Sequence, residues 1–540
     1  MLTYHNDNSR SGANTNETLL TPANVNVSGF GRLFSYAVDG HVYAQPLVLT
    51  NVTIPGQGLH NLLLVATEHD SVYAFDADSN AGANGGLFWQ VNLGASAPTP
   101  NSDFGNRYGP YHDLNPEMGI TATPVIDPVA GTIYLDTFTL EGGGYVHRIH
   151  ALCVTNGAER PFSPVVVAAS VPGKGVDSTN GVVTFNPEQS FNRSAMTLAG
   201  GILFATYTGY ADTDPYHGWI LGYNPSTLQL LPGYVFNTSP NSTIAAWGPN
   251  AGECGIWMSG NGPCVDTSSN LFFEVGNGPF NADTNGTEYG DSFVKVSFTN
   301  GLAAADYFTP YNQASLASSD SDLGSGGALL LPDSAGNVSH PHLIVGCGKE
   351  GKIYLIDRDN MGHFRSGNDN QIVGFVANAV GGTWSSPAFF NSLLYYQGNG
   401  DVLKSFRITN ASITSSPVSQ SATSFGFPGA TPSVSANGSS NGIVWVVQGD
   451  AFTSGGPAVL RAYNATNLSQ ELYDSSQNLA RDNPGAAIKM GVPTIVNGKV
   501  YVGARYAVSV YGNAVFLATP VISPNGGVFT NSVTVTLSDA

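Results

Sequence analysis

One short unit recurs along this chain and limits what it can become. In residues 343–359, LIVGCGKEGKIYLIDRD, an apolar run at Leu343, Ile344 and Val345 ends in a Gly-rich turn, and a second run follows from Lys352 to Asp357. Two short β-rich runs joined by Gly and charged residues read as a hairpin. The same order of strand, turn, strand and closing Asp or Asn returns at 60–78 (HNLLLVATEHDSVYAFDAD), 201–224 (GILFATYTGYADTDPYHGWILGYN) and 498–513 (GKVYVGARYAVSVYGN). Closing runs begin at Ser71, Tyr145, Gly218, Ser292, Lys352, Val402, Ala458 and Ala507, at intervals of roughly 50 to 75 residues. Most are preceded by a Pro-containing inner run, at Pro46, Pro124, Pro387, Pro432 and Pro493. Inner run, second run and closing run, with their turns, give about four strands per repeat. A ring of such units leaves no long unpaired strand edge. The pattern predicts an all-β fold: an eight-bladed β-propeller with four-stranded antiparallel blades. No long helical period or heptad competes with it.

A chain of 540 residues is long for one domain, but closed repeat folds run long, and 65 Gly and 32 Pro supply the turns. The propeller is expected to occupy 1–517. Residues 518–540 contain ATPVISPNGGVFTNS, which reads as a linker or the start of a separate small β-sandwich. The N-terminal stretch LTYHNDNSRSGANTNETLLTPANVN precedes the first repeat and is expected to complete the last blade. Insertions lengthen four repeats, at 94–119, 172–193, 237–262 and 308–327. Insertions on one face of a repeat ring usually build its binding surface.

The net charge is −19. Phosphate binding needs clustered cations, so this balance argues against nucleic acid and against an anionic membrane surface. No apolar run approaches the ~20 residues of a membrane span. The first residues, MLTYHNDNSR, lack the apolar core of a leader, so the chain begins after a removed leader or is a fragment. Low Lys content with abundant Asn, Ser, Thr and Gly suggests an exported protein, extracellular or periplasmic. The cysteines, Cys153, Cys254, Cys264 and Cys347, match no zinc spacing. Cys254 and Cys264 either bridge a loop in an oxidising compartment or remain buried thiols.

Chemistry-bearing residues gather in the middle repeats: Asn277 in GNGPFNADTN, Asp320-Ser321-Asp322, Lys349-Glu350 and Trp384 in GGTWSSPA. Two carboxylates and an amide are hard-oxygen donors suited to a cation. Carboxylates two residues apart can also divide labour between holding a metal and acting as a base. Lys349 can neutralise an oxyanion, and Trp384 offers a flat wall. Each also has an ordinary reading, as a solvated loop, a turn residue, a surface lysine or a core tryptophan.

These motifs resemble the quinoprotein alcohol dehydrogenase superfamily, eight-bladed propellers built around pyrroloquinoline quinone, over residues 2–513. The chain is similar in particular to exported, quinone-like propellers of soil bacteria such as acidobacteria. The family's Gly-Asn motif matches Gly276-Asn277-Gly278, which implies that Asn277 is a metal ligand. The Asp following FTP matches Asp320, the implied base, with Asp322 at the spacing of lanthanide-using members. The cation beside the quinone matches Lys349, and the aromatic after Gly-Gly matches Trp384. Arg107 lies in a segment like that beside the family's vicinal cysteines, which are absent here. The family's metal-binding Glu is replaced by Asp212 or Asp214, and the Trp beneath the quinone is Trp247 or Trp257. No haem-attachment motif is present. The tail resembles the opening of a chitobiase-type C-terminal domain. Two readings follow. One is an exported, non-catalytic propeller that binds protein or glycan partners. The other is a dehydrogenase that uses pyrroloquinoline quinone and calcium or a lanthanide to oxidise an alcohol or sugar. In the first the motif residues scatter over turns; in the second they converge.

Overall fold

The computed structural model describes residues 1–106, 109–243 and 253–514, and beyond them 521–523, 534 and 536–538. Eight antiparallel sheets follow one another along the chain and form the eight blades of a propeller. The first seven occupy 47–92, 125–166, 197–237, 264–309, 329–376, 388–425 and 433–474. The eighth combines Thr494–Val496 and Lys499–Asn513 with Phe30–His41 from before the first blade. Each of the five prolines noted above immediately precedes an innermost strand, where a missing N–H breaks no ladder.

Second and third strands are largely apolar and buried because neighbouring blades cover both faces. Leu343–Cys347 and Ile353–Asp357 are buried throughout. Each core is shared between neighbours: Leu62 and Leu64 of the first blade pack on Ile133 and Leu135 of the second. Tyr36, Val508 and Val510 of the eighth pack on Leu63, Val65 and Tyr73 of the first, closing the ring. Polar links cross the same seams, such as Trp89 Nε1 to the Val154 carbonyl at 2.9 Å.

Two sequence expectations are corrected, and the alternative left open for Cys254 and Cys264 is decided. The runs read as closing strands are third strands. Fourth strands such as Leu87–Asn92 and Asn467–Asp474 lie outside them and are half-exposed, so their apolar pattern is weak. The last blade is completed by Phe30–His41 and not by the stretch ahead of it. Cys254 and Cys264 are separate buried thiols, because Cys264 pairs with Phe272 inside the fourth blade while Cys254 packs against Gly278.

Residues 1–14 instead form a strap along the central channel that bonds to the innermost strand of every blade. Carbonyls of Met1 and Leu2 accept from Val48 and Ile126 N–H, and the Asn8 side chain donates to the Leu198 carbonyl. Carbonyls of Asn8, Ser9, Ser11 and Gly12 then accept from Val265, Leu330, Phe389 and Val434. Asn14 Nδ2 donates to Ile495 of the eighth blade, and Ala13–Asn14 runs parallel to Val434–Ser435. The fully buried Arg10 fastens the strap, donating to the Gly262, Pro263 and Tyr4 carbonyls and to the Thr3 and Thr197 hydroxyls.

Among the described residues no helix is long and apolar enough to cross a membrane. In the tail, Val521–Ser523 pairs antiparallel with Thr536–Ser538; most of 518–540 lies outside the described residues.

Candidate functional site

Turns that follow second strands and segments that precede first strands meet at one end of the channel. They enclose a cavity of about 320 Å³, to which every blade contributes, from Tyr43 before the first to Met490 before the eighth. Each of the four insertions reaches it: Asp113 and Leu114, Phe191 and Arg193, Gly255 and Trp257, and Asp320 and Asp322.

Asn277, Asp320, Asp322, Lys349, Trp384, Trp257 and Asp212 all line this cavity. Asn277 Nδ2 donates to Asp320 Oδ1 at 3.0 Å. Lys349 Nζ lies 2.5 Å from Asp320 Oδ1 and 2.5 Å from Asp322 Oδ1. Trp257 Nε1 donates to Asp322 Oδ2 at 3.0 Å. The Lys349 ammonium stands 5.9 Å from the Trp257 ring centre and 5.8 Å from that of Trp384, so two indole walls flank one cation. Phe427 braces Trp384 edge-on at 5.1 Å. Asp214 does not line the cavity, although Asp212 does. Arg107 and Trp247 lie outside the described residues.

The electrostatics follow from burial and from this pairing. Burial works against the Lys349 charge, but the two carboxylates outweigh it and push its pKa up, so the ammonium persists. Burial pushes the Asp322 carboxyl up, and the ammonium pulls it back. Asp212 is raised to about 6, by burial first and then by Asp320 and Asp322. Asp212 and Asp320 both hold left-handed backbone, at φ 59 and 52, a region that Asp tolerates better than most residues and that often marks strained functional positions.

Sequence reasoning missed the residues that hold these turns together. The buried Asp291 accepts from Leu323 N–H at 3.0 Å, and Gln313 Nε2 donates to both the Gly278 carbonyl and Asp291 Oδ2. Asp291 thereby ties the Asn277 turn to the Asp322 loop. Arg193 and the Lys489–Asp113 pair at 2.8 Å, which joins the first insertion to the eighth blade, were missed as well. Arg193 carries the one available signal, since it ends an insertion.

A hard cation needs oxygen donors. Among the described residues the buried Asn277 Oδ1 has no hydrogen-bond partner, and it stands with two carboxylates in the same cavity, so the donor types fit calcium or a lanthanide. Among the described residues no three acidic, imidazole or thiol groups are spaced to chelate an ion. The cation between Asp320 and Asp322 is the Lys349 ammonium.

No family model and no curated protein matches the chain. Solved structures do. A quinohemoprotein alcohol dehydrogenase from Pseudomonas putida HK5 superposes with a TM-score of 0.59 at 13% identity, covering 95% of this chain and 80% of that one. Sqt1 of Saccharomyces cerevisiae matches at 0.51 and 9% identity over 90% and 100%. BamB from Moraxella catarrhalis gives 0.46 and 11% over 89% and 97%. In its fold the chain is therefore an eight-bladed β-propeller similar to that of the Pseudomonas putida enzyme.

Proposed function

We propose that the cavity binds pyrroloquinoline quinone together with calcium or a lanthanide, and that the protein oxidises an alcohol or sugar hydroxyl. The observation that carries this reading is the convergence of Asn277, Asp320, Asp322 and Lys349, from two adjacent blades, between Trp257 and Trp384. A non-catalytic module for protein or glycan partners has no need of that convergence.

When bound, a quinone would supply a two-electron acceptor and a metal would supply Lewis acidity beside it. The chain's own residues do the rest. Asp320 takes the substrate hydroxyl proton; among the described residues its hydrogen bonds both use Oδ1, which leaves Oδ2 for the hydroxyl. Asn277, Asp320, Asp322 and Asp212 supply the oxygen donors, which requires Lys349 to withdraw from between the carboxylates. Its ammonium then serves a developing oxyanion. Trp257 and Trp384 provide flat walls that exclude water. An exported location, extracellular or periplasmic, belongs to the same proposal.

The test is an absorbance and fluorescence titration with quinone plus calcium or a lanthanide, followed by dye-linked oxidation of alcohols and sugars. Asp320→Asn should lower turnover by at least about 10²-fold while quinone still binds. Absence of quinone binding under every metal condition would overturn the reading.

A further inference from the structure

Aromatic rings of the cavity wall continue outward beyond the cavity. Trp384 and Phe427 both line it, and Phe452 follows at 6.1 Å from Phe427. A second line leaves the wall at Tyr43: His41 lies 6.3 Å from it, and Tyr506 stands edge-on to His41 at 4.9 Å. Arg505 joins the outer ends of the two lines, since its Nη2 donates to the Phe452 carbonyl and Tyr506 is the next residue. The rings thus form a rim over the sixth, seventh, eighth and first blades. Tyr43 and His41 are buried, whereas Phe427 is 38% and Tyr506 45% exposed. Exposed rings that continue from a cavity mark a surface for another molecule. The exposed Tyr311 and Phe375 differ, because the Lys352 ammonium stands against them at 5.5 and 4.4 Å. Tyr506 also holds φ 58, a costly conformation for a bulky residue and one that recurs at ligand clamps. The charged groups beside the rim are already engaged. Lys489 pairs with Asp113, and its ammonium stands 5.7 Å from the Phe452 ring. Arg505 donates to the Ala487 and Phe452 carbonyls, and Asp450 accepts from Gly426 N–H and the Gln448 amide. Burial, and then the Arg505 charge, lower the His41 pKa to about 4, so its imidazole is neutral at ordinary pH. The rim therefore favours a neutral occupant.

We propose that this rim is a subsite for a neutral oligosaccharide, whose sugar rings stack on Phe427, Phe452 and Tyr506 and whose terminal residue enters the cavity. A pyranose turns a face of C–H groups to the electron-rich face of an aromatic ring and keeps its hydroxyls outward, and rings set out in sequence suit a ligand that repeats. A small alcohol would use nothing beyond the cavity wall. Delivery of the terminal hydroxyl to Asp320 rests on the function proposed above; binding along the rim does not.

The experiment uses the full chain without quinone or metal. Tryptophan fluorescence and titration calorimetry follow binding of cellohexaose, xylohexaose and maltohexaose, each against its monosaccharide, and of a proline-rich peptide, the other ligand that aromatic rows accept. At least one hexasaccharide should bind about 10-fold or more tightly than its monosaccharide. Tyr506→Ala and Phe427→Ala should each remove most of that advantage. Tyr506→Phe should keep it, because stacking needs the ring and not the hydroxyl. The inference is overturned if no hexasaccharide binds the wild type, if hexasaccharide and monosaccharide bind equally, or if only the peptide binds. It is overturned equally if both alanine variants melt like the wild type and bind the hexasaccharide unchanged. Should Phe427→Ala fail to fold, Phe427→Leu fills the space without a ring and takes its place in the comparison. Quinone binding is read separately. A chain that binds the hexasaccharide and no quinone keeps the rim and loses the dehydrogenase; one that binds quinone and no hexasaccharide does the opposite.

Discussion

At the scale of single residues, this protein carries charges where burial disfavours them. Glu68 is 1% exposed, and burial raises its pKa to about 7, while its bonds to Gly119 and Thr121 pull the other way. A carboxyl raised above its unfolded value binds its proton more tightly when folded. The stability this contributes is present below about pH 4.5 and is lost as pH rises through about 7. Glu68→Gln keeps an acceptor for Gly119 and Thr121 and cannot ionise. It should stabilise the fold by about 1–3 kcal/mol at pH 8 and leave it unchanged at pH 4, as read by urea denaturation at both pH values. Arg10 is the opposite case. Arg10→Met should cost about 3 kcal/mol or more in the same assay, because several buried carbonyls and hydroxyls lose a charged donor at once.

At the scale of elements, the cavity depends on turns packed backbone to backbone. A Cβ on Gly324 would lie 2.4 Å from Gly276 N, and one on Gly290 would lie 2.1 Å from the Gly278 carbonyl. Gly324→Ala must therefore push the Asp322 loop away from the Asn277 turn. We expect a stability loss of about 1–3 kcal/mol, with a larger proportional loss of lanthanide binding measured by tryptophan-sensitised luminescence. These same elements show what the sequence made legible. Second and third strands are covered on both faces, so they read as apolar runs, and the blade number could be taken from them. Gly276-Asn277-Gly278 and Asp320-Ser321-Asp322 stood out because carboxylates and amides between glycines are locally conspicuous. Asp291 and Arg193 did not, because their partners lie 32 residues away or in other blades, and spacing along the chain carries no trace of that. Phe30–His41 was hidden for a related reason: its partner strand is nearly the whole chain away.

At the scale of the whole molecule, the ring is sealed by the core between the eighth and first blades, and Phe30–His41 is part of that seam. We propose that residues 518–540 stand outside this unit. A chain ended at residue 517 should melt with the same midpoint and cooperativity as the full one in calorimetry, and a large drop would move the boundary. Removing residues 1–14 should do the reverse, broadening the transition and admitting protease to the innermost strands. The strap also bears on how the blade count is decided. Propellers close with different numbers of nearly interchangeable blades, and nothing local to one blade distinguishes eight from seven. A peptide of fourteen residues whose backbone carbonyls and two asparagine side chains reach every blade in ring order does distinguish them. It acts as a gauge: a ring with a blade missing or added would leave an attachment unmade or a carbonyl bare. Because its final attachment is to Ile495, the gauge can be read only after the last blade exists, so the segment ahead of the first blade is the one whose docking must wait for the end of the ring.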